Sequence, residues 1–512
     1  MDASSNAAPT ANHQIVARLW TSLPTAICAA LIFALITYVP TLKFKLLLSQ
    51  LPNLAGPEDR EKHRQKFLSS ARLLYKEGYD KVIRADNCRT MFSASRDLSY
   101  RQVQTPLTYL ILLIDAKIME VKYTKAHLGG GILNQLATVV KADLTPALGR
   151  LNPPLSDKVN ITIRDSMPPC TEWTEVDINA TLLNIVAIVS GSVFVGTNIC
   201  RDPAYLDCTC NYALDLGNAT RAVRQIRPWL RPLLAPRLPE VKHSIERQRQ
   251  AVRILTPEVQ RRIEAQKNDP DWHAPDDMLQ WFINRLKKSS VEELADLVLI
   301  TIFAALHTTT MTTTSILHTI AATPQYHEEL RQEIRTVTAE HDGIMTMKAL
   351  QQMQKLDSYM KEVTRFWPSS AITFQRVVTK DFTLSNGQRI PKGANIEVPS
   401  LAVHMDDAYW PNAADFDPFR HYRARNAGEG SSHAANQFVS TTDTSLNFGY
   451  GSHACPGRFF AANEIKMIFA RLLLEYNIKM PDGRTERYDQ LHHGQENFPD
   501  PSKKLLFKKV EA

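Results

Sequence analysis

Between positions 447 and 460 the chain reads Asn447-Phe448-Gly449-Tyr450-Gly451-Ser452-His453-Ala454-Cys455-Pro456-Gly457-Arg458-Phe459-Phe460. Phe448, Gly451, Cys455 and Gly457 form its skeleton. With 19 Phe, 19 Gly and 7 Cys in 512 residues, that skeleton arises by chance with a probability of about 4 in ten thousand. Glycines at 449 and 451 permit backbone torsions and a close approach that a Cβ forbids. Cys455 ends this irregular segment just before a helix-like run that starts at Phe460. A helix N-terminus with free N–H groups favours a thiolate, and a thiolate is a metal ligand. The alternative is a buried structural cysteine, the commoner fate of a free thiol, but that use does not call for flanking glycines.

The segment resembles the haem-binding loop of the cytochrome P-450 haem-thiolate monooxygenases. The resemblance implies haem b with Cys455 as axial ligand to the iron, and a loop shaped by Phe448, Gly451 and Gly457. A thiolate in that place supports O–O cleavage. It also implies one large, mainly α domain with a small β-rich part, the cytochrome P-450 fold, over residues 58–512, preceded by one N-terminal transmembrane helix.

The chain's own composition fits. Net charge is +7 and spread out, which gives no basic stripe for nucleic acid. Hydrophobic residues make up 44%, enough for a sizeable core. From Leu19 to Leu42 no residue carries a charge, and Ala26 to Ile36 is continuously apolar, long enough for a helix to cross a bilayer. A signal peptide would have a shorter leading region than the 18 residues found here. Lys43, Lys45, Lys62, Arg64 and Lys66 follow the span, against Arg18 before it. The positive-inside rule puts the body in the cytosol. Residues 1–18 are then lumenal, 19–42 a single-pass anchor in the endoplasmic reticulum membrane, and 43–57 a linker ending in Leu51-Pro-Asn-Leu-Ala-Gly-Pro57. Seven cysteines without a framework spacing suit a reducing compartment, and Cys208-Thr-Cys210 is expected in a loop.

Ser290-Val-Glu-Glu293 reads as a capping box, opening a helix with no proline until Pro324. Its middle is Phe303-Ala304-Ala305-Leu306-His307-Thr308-Thr309-Thr310. Small residues at Ala304 and Ala305 admit a flat ligand, and threonine hydroxyls can bond back to the i−4 carbonyl. By itself this is a Thr-rich buried helix. It resembles the family's oxygen-activation motif, which implies Thr308 as the hydroxyl that steers protons to dioxygen. His307 stands where the family has Asp or Glu, as in fungal members acting on diterpenoids and indole diterpenes. A histidine can relay protons near neutral pH.

Glu362-Val-Thr-Arg365 matches the family's Glu-x-x-Arg, although Glu246/Arg249, Glu258/Arg261 and Glu328/Arg331 share the spacing. Phe416-Asp-Pro418-Phe-Arg420 resembles the segment that adds a second arginine. A carboxylate between two guanidiniums tolerates burial, so Glu362, Arg365 and Arg420 are expected to clamp the loop scaffold. The resemblance assigns haem propionate contacts to His453 and Arg376, with Lys141 as a stand-in for a missing tryptophan–arginine motif. Strands are expected at Asp381–Leu384 and Ala394–Val398 around the turn Ser385-Asn-Gly-Gln, and a loop over Arg425–Gln437. Ala304, Ala305, Ile372 and Phe374 are candidates for the pocket of a small apolar, terpenoid-like substrate. NADPH would supply electrons through a cytochrome P-450 reductase docking near Arg458 and Lys466. Two other readings stay open, an electron-independent haem-thiolate isomerase or dehydratase and a non-catalytic haem sensor.

Overall fold

The computed structural model describes residues 121–124 and 132–511, apart from 228, 379, 385, 386, 388, 428–430, 452 and 453, together with 28, 32, 39, 42, 43, 46, 70–77 and 79. The 19–42 anchor as a span, the Ser385–Gln388 turn as a whole and His453 lie outside the described residues.

Among the described residues, ten principal helices carry the fold: α1 Thr145–Ser166, α2 Ile178–Phe194, α3 Pro203–Gln225, α4 Pro239–Asn268, α5 Met278–Arg285, α6 Val291–Ala321, α7 His327–Ala339, α8 Gln354–Phe366, α9 Arg420–Ala427 and α10 Arg458–Glu475. Local chemistry starts several of them. Asp177 accepts from the Ala180 N–H before α2, and Asp277 accepts from the Gln280 N–H before α5. Ser290 and Glu293 close the reciprocal capping box of α6. Asp202 accepts from the N–H groups of Ala204 and Tyr205, with Pro203 at the first helical position. That start sets α3 running through Cys208 and Cys210, so the pair lies in a helix and not in the expected loop.

The central helix is α6, packed against α2, α4 and α10. Leu297, Ile316 and Ile320 of α6 meet a core shared with Ile185 and Val189 of α2 and Ile468 and Phe469 of α10. Each such side chain, fully buried, contributes about 1.5–3 kcal/mol. Among the described residues α6 is the helix long and apolar enough to cross a bilayer, and its burial in this core explains its composition.

The β-structure is small. Strands β1 Thr174–Val176, β2 Thr373–Val377, β3 Phe382–Thr383, β4 Arg389–Ile390, β5 Asn395–Val398, β6 Tyr476–Lys479, β7 Gln490–His493, β8 Glu496–Pro499 and β9 Leu505–Lys509 form a three-stranded sheet β1-β9-β6 and the pairs β2-β5, β3-β4 and β7-β8. In the antiparallel three-stranded sheet Phe507 faces Thr174 on one side and Ile478 on the other. Phe382 lies opposite Ile390, so β3 pairs with the short β4 and not with the expected partner strand, whose residues form β5 and pair with β2 instead. The expected loop over 425–437 is partly helical, since α9 runs to Ala427 and Ser431–Ala435 forms another helical turn.

Two compact units are resolved by contact. One comprises 1–57, 81–104 and 377–395, in which β3 and β4 lie; the other comprises 58–80, 105–376 and 396–512. The second holds all of the principal helices and every candidate site residue.

A buried ion cluster that the motifs did not announce sits beside α2. Arg262 of α4 donates to Asp277 through Nη1 (2.5 Å) and Nη2 (2.8 Å), to Glu258 through Nε (2.7 Å) and to the Val195 carbonyl (2.9 Å). Gly196 has φ +87°, and a Cβ there would stand 2.8 Å from Arg262 Nη2.

Candidate active site

The cysteine loop is fastened at both ends. The Cys455 N–H donates to the Phe448 carbonyl (2.8 Å), and the Ala454 N–H donates to Gly451 (3.1 Å). Gly449 and Gly451 hold φ of +76° and +63°, torsions that an L side chain rarely adopts. Phe448 packs edge-on against Phe438 with centroids 5.3 Å apart. Arg458 opens α10, donates from Nη1 to the Cys455 carbonyl (2.9 Å) and lies over the Phe459 ring. Cys455 is a free thiol. Burial pushes it above its ordinary value, while the Gly457 and Arg458 amides and the Arg458 charge pull it down. Burial therefore outweighs the helix-terminus effect expected from sequence, and a cation at the sulfur is what would favour the thiolate.

Behind the loop stands the clamp. Glu362 is fully buried and receives Arg365 Nη2 at 2.7 Å, Arg365 Nε at 2.8 Å, Arg420 Nε at 3.1 Å and the Asp417 N–H at 3.1 Å. Burial pushes its carboxyl upward, but hydrogen bonds from Arg365 and His421 outweigh that and hold it at about 2. His421 Nε2 lies 3.4 Å away; burial lowers that ring to about 4, so it approaches as a neutral partner near pH 7. Of the other pairs with the same spacing, Glu328 is 68% exposed and Glu246 55%, as solvated helix partners are, whereas Glu258 is buried in the Arg262 cluster. Arg365 also donates from Nη1 to the His404 carbonyl (2.5 Å) and the Ala413 carbonyl (2.9 Å). His404, lowered to about 3 by burial, accepts the Leu446 N–H at 3.2 Å. Lys361 reaches the carbonyls of Ala435 and Gln437 (3.0 and 2.8 Å). One face of α8 thus holds the chain that leads into the cysteine loop.

Lys466 was expected at a docking surface. It is instead buried, with Nζ 2.5 Å from Asp357 and 3.0 Å from the Leu350 carbonyl. The apolar neighbours Ile465, Met467, Ile468 and Phe469 turn this stretch of α10 inward.

On α6, the turns 294–302 and 313–321 are buried, whereas Ala304 and Thr308 between them are exposed and Phe303, Ala305 and His307 are part-buried. Ala304 and Thr308 are one turn apart on one stripe, so the middle of the central helix opens on a cleft. Thr308 Oγ1 donates back to the Ala304 carbonyl at 2.9 Å, which leaves its lone pairs free to accept from the cleft. His307 Nε2 lies 3.1 Å from the Cys210 carbonyl of α3, and burial lowers its pKa. Ile372 is buried. Phe374 is half-buried with φ +53°, a strained torsion for an aromatic residue. Arg376 lies on β2 with its side chain outside the description, and Lys141 is exposed on the π-helical turn Val140–Leu144.

These features suit a flat metallocycle. An added Cβ at Gly451 or Gly457 would meet nothing within 4 Å, so both loop glycines face open space, and small Ala304 is exposed on α6.

The Cytochrome P-450 family model matches residues 139–506. The chain is a cytochrome P-450. It is 35% identical over 493 residues to the cytochrome P-450 monooxygenase TES1 of Alternaria alternata, covering 95% of this chain and 94% of that protein. It is 36% identical to the monooxygenase ATR3 of Stachybotrys chlorohalonatus (76% and 82% covered) and 36% identical to the monooxygenase braC of Annulohypoxylon truncatum (72% and 74% covered). This P-450 is accordingly a monooxygenase whose family works through haem iron held by a cysteine. Membership favours the monooxygenase reading over the isomerase and sensor readings.

The motifs missed His421, His404, Lys361 and the Arg262 cluster. A histidine directly after Arg420, and a lysine directly before Glu362, were the available signals.

Proposed function

We propose that this P-450 inserts oxygen from O2 into a C–H bond of a small apolar, terpenoid-like secondary metabolite, with Cys455 as the axial ligand to the iron of haem b. The exposed Ala304/Thr308 stripe on an otherwise buried central helix carries the reading. It offers an apolar surface with one hydroxyl, suited to a substrate that is held by shape rather than by charge. The haem, when bound, supplies the oxygen chemistry; the protein positions, excludes water and moves protons.

In this reading Phe448, Gly451 and Gly457 shape the loop around Cys455, while His453 and Arg376 meet the propionates and Glu362, Arg365 and Arg420 fix the scaffold. Ala304, Ala305, Ile372 and Phe374 line the substrate side. Thr308, accepting from the cleft while it donates to Ala304, passes protons to the oxygen side. His307 shares in that delivery only when its ring has left Cys210. Electrons come from NADPH through a cytochrome P-450 reductase, and residues 19–42 anchor the protein in the endoplasmic reticulum membrane with residues 58–512 in the cytosol. The terpenoid class rests on the likeness of Ala305-Leu306-His307-Thr308-Thr309 to the corresponding stretch of diterpenoid-acting fungal members.

The test is spectral. The reduced protein with carbon monoxide should show the red-shifted Soret band of a thiolate haem, and Cys455→Ser should lose it while far-ultraviolet helicity stays. Retention of the band in the variant would remove Cys455 from the role. Titration of the oxidised wild type with diterpene scaffolds, against fatty acids and aromatic acids, should give substrate-type shifts with the diterpenes.

A further inference from the structure

Two stripes run side by side along the middle of α6. Ala304 and Thr308 form the open one. Phe303 and His307, also four residues apart, form its neighbour, and that neighbour faces α3. The Phe303 ring meets Tyr212 of α3 edge-on with centroids 5.9 Å apart. One turn further along, His307 Nε2 lies 3.1 Å from the Cys210 carbonyl. A carbonyl can only accept, so Nε2 carries the proton and the tautomer is fixed. Farther back on α6, Asp296 accepts from Gln248 of α4 at 3.2 Å, and α4 in turn is bound to α3 through Arg247, which donates to Asp207 and Asp215. The α3–α4 pair therefore walls the open stripe, and His307 is the polar fastening nearest to it. Burial keeps the ring neutral, with the Cys210 bond pulling the other way.

We propose that His307 is a positioning residue, a latch whose hydrogen bond to the Cys210 carbonyl holds α3 closed against α6 and sets how readily apolar ligands enter and leave the cleft over Ala304 and Thr308. An apolar interface slides with little loss. A part-buried N–H pulled from its acceptor is left unsatisfied, so this bond distinguishes the closed position of α3 from neighbouring ones. This rests on the haem-monooxygenase reading for the identity of the cleft, but not for the latch itself.

The experiment uses the full chain with haem bound, as wild type, His307→Phe and His307→Gln. Phenylalanine keeps a ring without a donor; glutamine keeps a donor of similar reach. Hydrogen exchange followed by mass spectrometry reads the amides of α3 against those of α10. In His307→Phe, exchange in α3 around Cys210 should rise about fivefold, the factor that one neutral hydrogen bond is worth, with α10 unchanged and His307→Gln close to wild type. Stopped-flow mixing with 4-phenylimidazole should show both binding and release quickened by a similar factor in His307→Phe and restored in His307→Gln. Unchanged α3 exchange in His307→Phe overturns the latch, as does a glutamine variant that behaves like phenylalanine. If haem fails to load, the azole arm gives no signal in any protein, including wild type. The exchange arm still decides the latch, so the two failures are distinct.

Discussion

Asn447, the first residue of the cysteine loop, donates from Nδ2 to Thr364 Oγ1 at 3.0 Å. Thr364 is the residue before Arg365, whose guanidinium holds Glu362. The clamp and the loop are thus joined directly as well as through the intervening chain. Arg365→Ala strips Glu362 of its two closest donors and takes the same guanidinium from the His404 and Ala413 carbonyls, and should cost about 3–5 kcal/mol, as removal of one partner of a buried pair does. Little haem-loaded protein should be recovered. Thr364→Val removes the link alone and should cost about 1 kcal/mol, with haem retained but lost sooner on dilution. Normal haem content in Arg365→Ala, measured as haem per polypeptide, would show the clamp to be dispensable.

Glu464 of α10 is fully buried, with both carboxyl oxygens 2.8 Å from Ser190 Oγ. Burial raises its pKa to about 8, against the smaller downward pull of Ser190. In an unfolded chain a glutamate titrates near 4.3, so between about pH 4.3 and 8 the native state holds a proton that the unfolded state has released. Stability therefore falls as pH rises through that window. Glu464→Gln keeps the acceptor and cannot ionise. Its melting temperature should match wild type near pH 4.5 and exceed it by about 1–3 °C at pH 8. Scanning calorimetry of both proteins across that range checks the sign; a pH-independent difference would count against a raised Glu464.

What the sequence made legible was local. The capping box of α6 is four residues, the cysteine skeleton ten, and Glu362 with Arg365 one helical turn, so spacing alone carried each. What it hid was made by chain return. His421 reaches Glu362 from 59 positions away, and Asn447 reaches Thr364 across 83. Lys466 looked like surface charge because a lysine usually is; its apolar neighbours on α10 argued for burial, and Asp357 supplied the countercharge. The spacing of Cys208 and Cys210 suits a loop, and the helix that holds them is announced only six residues upstream, by Asp202-Pro203.

The Arg262 cluster yields a sharper test of backbone against packing. Gly196 and Gly343 both hold positive φ, +87° and +78°. An alanine at either position bears the left-handed penalty of about 1–2 kcal/mol. At Gly343 a Cβ meets nothing within 4 Å, whereas at Gly196 it meets Arg262 Nη2 at 2.8 Å and Asp277 Oδ2 at 2.9 Å. Gly196→Ala should then lose a further ~2 kcal/mol, because the buried pair must part or shift. Denaturant midpoints of the two variants provide the comparison, and equal losses would mean that the cluster yields freely.

Thr308 is the residue on which oxygen chemistry should be most sensitive. Its hydroxyl hydrogen is turned back to the Ala304 carbonyl, so on the cleft side it acts as an acceptor that can hold a donor, water included, in one place. Thr308→Ala deletes that acceptor and admits water in its stead. Substrate should still bind and reductase electrons still arrive, but product per NADPH should fall by about tenfold or more while peroxide rises, less than the ~10²–10⁴ that positioned proton transfer contributes, since the admitted water takes over part of the delivery. Thr308→Ser, which keeps the hydroxyl, should recover most of the coupling. Thr312, one turn on, donates back to the Thr308 carbonyl at 2.8 Å; Thr312→Ala removes a helix back-bond without touching the Thr308 hydroxyl, and its coupling should stay near wild type. Product and peroxide per NADPH in these three variants separate a proton-handling hydroxyl from a packing one: a packing role predicts that Thr308→Ala weakens substrate binding while coupling holds, and that serine, which lacks the methyl, fails to rescue it.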